Sequence, residues 1–267
     1  MPYSIIINFS GGGIISGHSK WANIKHKKSK EDAVRGKVFT KLARELTIAA
    51  RTGGGSPEAN ARLRIAIEKA KSVNMPSDNI KRAIQKGTGE LNDGANYEEM
   101  VYEGYGPLGI AVLMNVTTDN KNRTAPEIRK IFSKSGGNMA DAGAVAWMFS
   151  RKGEIIVEGE NEEKIMELAL DEDLAIEDIE QGDGETKVIT EPENLYQVQG
   201  KLKDANFNIV NCEVVMVPST YVQVSNISEA KKVLGFLEQL EEHDDVQNVY
   251  ANFDIPENIM EEIEKEE

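Results

Sequence analysis

The chain has 267 residues, enough for more than one domain and for a sizeable hydrophobic core. Its formal charge is -14, and its 40% hydrophobic and 28% charged residues are typical of soluble globular proteins. A single cysteine, Cys212, excludes an internal disulfide and fits a reducing cytoplasm, and no apolar run approaches the roughly 20 residues of a membrane helix.

The net charge hides a division between the two parts of the chain. Residues 1–90 contain 17 Lys and Arg against 7 Asp and Glu, a net charge of +10, whereas residues 91–267 contain 14 against 38, a net charge of -24. A basic segment indicates a polyanionic partner. The acidic remainder keeps the protein in solution and limits indiscriminate contact with nucleic acid.

Residues 1–15 combine a short apolar run with three glycines. They lack the positively charged start and the cleavage site of a signal peptide. We interpret them as a disordered or non-native extension, and a short edge strand is the alternative.

Residues 29–90 predict three helices. Ser29 is a favourable N-cap for the first helix, which we expect to end at about Thr52, before three glycines. Ser56 and Pro57 have the residue types of an N-cap and a first helical position, and they predict the start of the second helix. The third helix is predicted to begin at Ser77 or Asp78 and to end at Gly87.

From about residue 97 the hydrophobic pattern alternates between strands and helices. Residues 153–217 predict strand-helix-strand twice, which is the split βαβ pattern of a ferredoxin-like domain. The flanking residues predict the same order, with strands at 109–118, 144–150, 220–224 and 246–253. The predicted fold class is α+β and multidomain: an N-terminal three-helix domain followed by two ferredoxin-like α/β domains, one inserted in the other.

The predicted domain limits follow from these changes of pattern. The basic helical domain covers 16–95, and the first α/β domain combines 96–151 with 219–256. The inserted ferredoxin-like domain covers 152–218. The acidic residues 257–267 predict a frayed, solvated tail.

The first predicted helix has one basic side. At 100° per residue, four basic residues fall within an arc of about 80°, opposite the apolar residues: Lys37, Lys41, Arg44 and Arg51. A solvated surface is the alternative. Ten basic residues against three acidic ones over 20–51 favour phosphate binding, because a polyanion offsets the repulsion between like charges.

The residues before this helix form a second group of candidates. Trp21 can stack on a base or sugar, or it can anchor the loop on its own domain. His18 and His26 can pair with phosphates. They do not indicate a metal site, because no third and fourth ligand follows at the usual spacing. The candidate nucleic-acid contacts in this segment are His18, Lys20, Trp21, Lys25, His26, Lys27, Lys28 and Lys30.

A third polar cluster, TDNKNRT, occupies 118–124, where a predicted strand passes into a helix. Lys121 and Arg123 in this cluster can contact phosphate. Helix capping by the neighbouring asparagines explains the same residue types equally well.

No motif of a known enzyme class is present. The glycines at 53–55 are not followed by Lys-Ser or Lys-Thr, which excludes a P-loop, and G-x-S-x-G and H-E-x-x-H are absent. Cys212 lies in an apolar strand without an obvious histidine partner, so we assign it to packing. We expect a protein that is not an enzyme and that has no metal and no cofactor.

Long stretches in a fixed order resemble the YebC/PmpR family, whose mitochondrial relatives include the translational activator of cytochrome oxidase subunit I. They include SGHSKWANIKHKK, NMPSDNIKRAIQKGTGE, YEGYGPLGIAVL, TDNKNRT and GGNMADAGAVAWMF, and they cover residues 16–150 densely. The resemblance implies three domains and a cytoplasmic, non-enzymatic regulator. It implies either a DNA-binding transcriptional regulator or a ribosome-associated factor that helps translation through proline-rich stretches.

The residues leave both of these partners open. The predicted helices lack a clear helix-turn-helix recognition helix, which argues against specific base readout, and a positive loop with an aromatic residue suits structured RNA equally. We expect a monomer that binds promoter DNA or ribosomal RNA, with the ribosome as a further candidate partner and no membrane contact. An enzyme with a dispersed site and a protein-interaction module remain as alternative classes.

Overall fold

The structure is a computed structural model and describes residues 32–91, 97–182 and 184–266. These residues belong to two compact units. The first unit contains the described residues up to Val145 together with Asn226–Val249, and the second contains Ala146–Ser225 together with the residues from Tyr250 onward. The chain therefore leaves the first unit and later returns to it. The domain limits predicted from the sequence stay a prediction.

The helical region, residues 32–91, contains α1 (Asp32–Gly53), α2 (Ala61–Ser72) and α3 (Ser77–Thr88). Its core consists of small and aliphatic side chains from the apolar sides of these helices and the turn before α3, namely Leu42, Leu46, Ala49, Ala50, Leu63, Ala66, Ala70, Met75, Ile80 and Ala83. The alanines allow the helices to approach closely. All three predicted helices are present, whereas the predicted N-cap Ser29 lies outside the described residues.

Two predicted helix ends are wrong. α2 begins at Ala61 and not at Pro57, because the side chain of Asn60 accepts from the Leu63 backbone N–H at 3.0 Å and thereby caps the helix. The Ser56 hydroxyl instead donates to the Glu58 carboxylate at 2.6 Å.

The second error concerns the end of α3. The helix ends at Thr88, where Gly89 takes a left-handed φ of 81°. Gly87 lies inside the helix and allows close packing, because a Cβ there would lie 2.3 Å from the Thr47 carbonyl oxygen.

The remaining elements in chain order are β1 (Glu98–Tyr105), β2 (Ala111–Thr118), α4 (Lys121–Lys134), β3 (Asn138–Ala140), β4 (Phe149–Glu158), α5 (Glu162–Asp171), β5 (Asp178–Gly182), β6 (Glu185–Thr190), α6 (Leu195–Asp204), β7 (Ile209–Pro218), β8 (Val222–Gln223), α7 (Ile227–Glu242), β9 (Val246–Ala251), β10 (Phe253–Asp254) and α8 (Glu257–Glu266). No helix in the described part of the chain is long and apolar enough to cross a bilayer.

Each unit is built on a four-stranded sheet. The first sheet has the order β3-β1-β2-β9, with β1 antiparallel to both neighbours. In the same unit, Phe132 of α4 and Phe236 of α7 meet edge to face with ring centroids 5.0 Å apart. The second sheet has the order β5-β6-β4-β7, all antiparallel, which is the ferredoxin-like order. The predicted α+β class, with a helical N-terminal region and two α/β parts, is confirmed.

Individual elements differ from the prediction around residues 144–150, which do not form a separate strand. Ala146–Met148 is a 3₁₀ turn, and β4 starts directly after it. The carboxylate of Glu103 accepts from the backbone N–H groups of Gly143 and Val145, each at 2.7 Å, and holds the preceding loop. The apolar run AVAWMF, residues 144–149, therefore begins within a loop that a distant side chain holds.

The structure also contains elements that the sequence analysis missed. β1 begins with two exposed glutamates and has no clean alternation of apolar and polar residues, so its pattern does not indicate a strand. A strand at 220–224 was predicted and β8 lies within that range, but β8 pairs in parallel with β10 and does not extend either four-stranded sheet. Residues 257–266 form α8 and not a frayed tail, because Ile259, Met260 and Ile263 share one buried side.

Candidate nucleic-acid interface

The basic side of α1 lies against the acidic end of α7. We call residues 241–245 the α7 acidic end; they comprise the last two residues of α7 and the three that follow, and they include four carboxylates. Lys37 Nζ lies 3.2 Å from Glu242 Oε1, and Lys41 Nζ donates to the Glu241 carbonyl oxygen at 2.6 Å. The predicted basic side is thus present, but intramolecular acceptors occupy these two residues.

Arg44, one turn further along α1, makes the most buried of these contacts. Its Nη1 lies 3.0 Å from Asp245 Oδ1 and also donates to the Asp244 carbonyl oxygen. The Arg44 side chain is 14% exposed and that of Asp245 is 2% exposed, so this pair is withdrawn from water. Arg51, the fourth predicted residue, donates to the Tyr97 carbonyl oxygen at 3.2 Å.

Asp245 accepts from the first α/β part as well. Its Oδ2 lies 2.6 Å from the Thr124 hydroxyl, 2.8 Å from Arg123 Nη2 and 3.1 Å from the Thr118 hydroxyl. The two threonines flank the turn between β2 and α4, and Arg44 approaches from the helical region. Asp245 therefore joins α1, β2, α4 and the end of α7.

These donors determine the charge of Asp245. Burial is the largest influence and by itself raises the pKa of Asp245, but hydrogen bonds from Thr124 and Arg123 and the positive charges of Arg44 and Arg123 outweigh it, so the pKa is lowered. The pKa of Arg123 is raised, chiefly by its hydrogen bond to Asp245. The site is therefore an ionised carboxylate held by cations and hydroxyls.

The TDNKNRT cluster performs the capping that the sequence left open. Asn120 Oδ1 accepts from the Arg123 backbone N–H at 3.2 Å and caps α4. Lys121 lies 4.0 Å from Glu98, with both side chains largely exposed. Contact of Lys121 or Arg123 with phosphate stays a prediction.

The candidates before α1 lie outside the described residues: His18, Lys20, Trp21, Lys25, His26, Lys27, Lys28 and Lys30. Their role in binding also stays a prediction. The structure adds exposed basic residues on α2 and α3 that the sequence analysis did not single out, namely Arg64, Lys71, Lys81 and Arg82. Their positions on helices with an apolar opposite side are the signal that could have identified them.

An open groove borders Asp245. Its lining includes four basic residues, Arg44, Arg123, Lys130 and Lys134. It also includes four acidic residues, Glu127, Glu242, Asp244 and Asp245. The groove therefore lacks the uniform positive charge of a phosphate channel. The exposed basic residues Arg64, Lys71, Lys81 and Arg82 on α2 and α3 are not part of this lining.

Two domain families match the chain in sequence. The family described as the TACO1/YebC protein N-terminal domain matches residues 19–90, and that described as the TACO1/YebC second and third domain matches residues 97–253. The chain belongs to the YebC family. The resemblance inferred from the motifs is confirmed, since the YebC-family match spans both the helical region and the α/β parts.

Curated relatives of this YebC-family chain are named probable transcriptional regulatory proteins. One from Natranaerobius thermophilus is 52% identical over 92% of this chain and 99% of the relative, and one from Dictyoglomus turgidum is 52% identical over 92% and 98%. The crystal structure of a conserved hypothetical protein from Aquifex aeolicus is similar with a TM-score of 0.80 and 48% identity, covering 90% of this chain and 98% of that one.

Proposed function

We propose that this YebC-family chain is a non-enzymatic, DNA-binding transcriptional regulator that acts in the cytoplasm as a monomer and without a cofactor. The observation that carries the proposal is the net charge of +10 on residues 1–90 in a chain of charge -14. Local positive charge of this kind binds the phosphate backbone and releases counterions. The names of the relatives support regulation as the role.

Exposed basic residues on two adjacent helices support the same function. Lys81 and Arg82 are exposed on α3, while Ile80 and Ala83 beside them are buried. Arg64 on α2 is exposed in the same way. These cations can position phosphates, and they continue the basic character of the segment before α1.

Charge reversal tests the proposal. Replacing Lys25, Lys27, Lys28 and Lys30 with Glu should abolish most binding to labelled duplex DNA and to structured RNA. If about four phosphates are contacted, the wild-type affinity should follow salt with a log-log slope of about -3 to -4. Unchanged affinity of the quadruple variant for both ligands would refute the basic segment as the binding surface.

A matched pair of double variants controls for net charge. The change Lys81→Glu with Arg82→Glu should weaken duplex binding. The change Lys164→Glu with Lys203→Glu, at exposed positions of the second unit, alters the net charge equally and should leave binding much closer to wild type. Equal losses in both double variants would assign the effect to overall charge.

The alternative is a ribosome-associated, RNA-binding translation factor, and Trp147 favours it. Trp147 is 75% exposed and Tyr221 is 39% exposed, and the chain segments that carry them are joined by a hydrogen bond of 2.8 Å from Ser219 N–H to the Met148 carbonyl oxygen. Exposed aromatic rings stack on unpaired bases. The change Trp147→Ala should then weaken ribosomal RNA binding and leave duplex DNA binding unchanged, whereas an unchanged RNA affinity would count against this alternative.

The second sheet does not supply an RNA-binding surface of the RRM type, which uses aromatic residues on its central strands. Ile155 and Val188 face the helices α5 and α6 in the core of this unit. The alternate residues on the other face include Glu154, Ile156 and Lys187. An acidic, non-aromatic sheet face does not stack bases, so Trp147 is the better candidate for such contacts.

A further inference from the structure

We propose that the α7 acidic end competes with nucleic acid for the basic side of α1, so that this side is available only when the contact opens. The inference rests on the proposed function and adds an autoinhibitory contact to it. We call the contacts of Lys37, Lys41 and Arg44 with residues 241–245 the clasp.

The acceptors of the clasp resemble a short stretch of polyanion. Lys41 and Arg44 each donate to a backbone carbonyl oxygen, at Glu241 and Asp244, at the end of α7 that carries the negative pole of the helix dipole. The carboxylates of Glu242 and Asp245 add two full charges beside them. Phosphate oxygens require the same N–H donors, so carboxylate and phosphate cannot both be bound there.

Opening the clasp removes the ion pair at Asp245 Oδ1 but leaves the other oxygen of this buried carboxylate hydrogen-bonded. When Arg44 withdraws, Asp245 Oδ2 still accepts from Thr118, Arg123 and Thr124 at 2.6 to 3.1 Å. The guanidinium of Arg44 then needs a new acceptor, which a phosphate provides. Arg44 therefore has an anionic partner both in the closed clasp and in the open, phosphate-bound state. This allows phosphate to replace the α7 acidic end.

The separate core of the helical region and the polar nature of the clasp also permit the clasp to open. The helical region has its own core, whose buried residues lie between Leu42 and Ala83 and come from α1, α2, α3 and the turn before α3. The contacts that join α1 to the α7 acidic end are ion pairs and hydrogen bonds, which salt and competing anions weaken. Separation at the clasp need not break that core.

Glu242 is the position at which the clasp can be tested without harm to folding, because its side chain is 60% exposed. Glu238, one turn earlier on α7, is exposed and provides a matched position for the same charge change. We would compare Glu242→Lys with Glu238→Lys in the full chain, measuring the affinity for a labelled random-sequence DNA duplex at 50 and 200 mM salt.

Glu242→Lys should bind the duplex about threefold or more tightly than Glu238→Lys at low salt, because repulsion from Lys37 raises the population of the open state. The difference should shrink at high salt. Adding saturating duplex to the wild-type chain should also accelerate amide exchange at residues 241–246.

Equal affinity of the two variants, with unchanged exchange at residues 241–246, would overturn the competition and leave the proposed function standing. Absence of duplex and RNA binding in the wild type and in both variants would overturn the proposed function itself, and the inference with it. The two failures are therefore distinguishable.

Discussion

Asp245 in the first unit and Glu154 in the second are both carboxylates withdrawn from water, yet their pKa values move in opposite directions. The pKa of Asp245 is lowered despite burial. The pKa of Glu154 is raised from 4.5 to about 7, chiefly by burial; the charge of Lys187 lowers this pKa, and the charges of Glu213 and Glu180 raise it. Burial acts in the same direction on both groups, so the difference comes from their neighbours.

The neighbours differ in what they can donate. Asp245 receives two hydroxyl groups and two guanidinium groups. Glu154 stands directly opposite Glu213 in the β4–β7 register, and the nearby Lys187 is already paired with Glu180. Donors directed at a carboxylate stabilise its charge, and a second carboxylate opposite it favours protonation. The number and direction of donors decide the charge state here.

The largest expected effect is the loss of Asp245. Asp245→Ala leaves Arg44 and Arg123 without their common acceptor, and we expect the free energy of unfolding to fall by about 3–5 kcal/mol at pH 7 in urea denaturation. Because the pKa of Asp245 is lowered, its contribution is present above pH 3.8 and should disappear as the pH falls through the folded-state pKa. Glu238→Ala is the exposed control, and a loss below about 1 kcal/mol for Asp245→Ala would contradict this role.

Glu154 should show the opposite pH dependence. Its raised pKa means that the folded state binds a proton that the unfolded state releases, so stability falls as the pH rises from about 4.5 to about 7. Glu154→Gln should match the wild type at pH 4 and exceed it by up to about 3 kcal/mol at pH 8. Urea denaturation at both pH values measures this difference.

The control for Glu154 is Glu193→Gln, at an exposed position of the same unit. It should change stability little at either pH. If Glu154→Gln and Glu193→Gln respond to pH alike, Glu154 is ionised in the folded state and the contrast with Asp245 is lost.

A smaller effect is expected from removing one donor of Asp245. Thr124→Val deletes the 2.6 Å hydrogen bond and should lower stability by about 1–2 kcal/mol. It should also move the pKa of Asp245 upward, which carboxyl carbon NMR titration can follow. Thr40→Val, which loses only an exposed bond to the Gly36 carbonyl oxygen, is the matched control, and an unchanged Asp245 pKa would show that the hydroxyl is dispensable.

The sequence predicted what depends on local pattern. Apolar residues at helical spacing, such as Leu63, Ala66 and Ala70, identified α2 and its buried side correctly. The apolar runs in β4 and β7 with their intervening helices identified the ferredoxin-like sheet. These signals lie within a few residues of one another, so one sequence is enough to interpret them.

Features set by distant residues could not be predicted in this way. The basic side of α1 was predicted, but its partners are about 200 residues away, and nothing in the spacing of Lys37 or Lys41 indicates Glu242 or Glu241. Asp245 meets Thr118 across a separation of 127 residues. The loop before Trp147 is held by Glu103 on another strand. The apolar residues around Trp147 give no indication of this contact.

The side-chain amide of Asn60 links α1 rigidly to α2. Asn60 Nδ2 donates to the carbonyl oxygens of Ala49 and Gly54 at 2.7 and 2.8 Å, while its Oδ1 caps α2. The three glycines at 53–55, which composition suggests as a hinge, are thereby clamped between two helices. Because these hydrogen bonds tie the end of α1 to the start of α2, we expect the two helices to move together as one rigid body. Any hinge motion should then occur elsewhere than at the glycines.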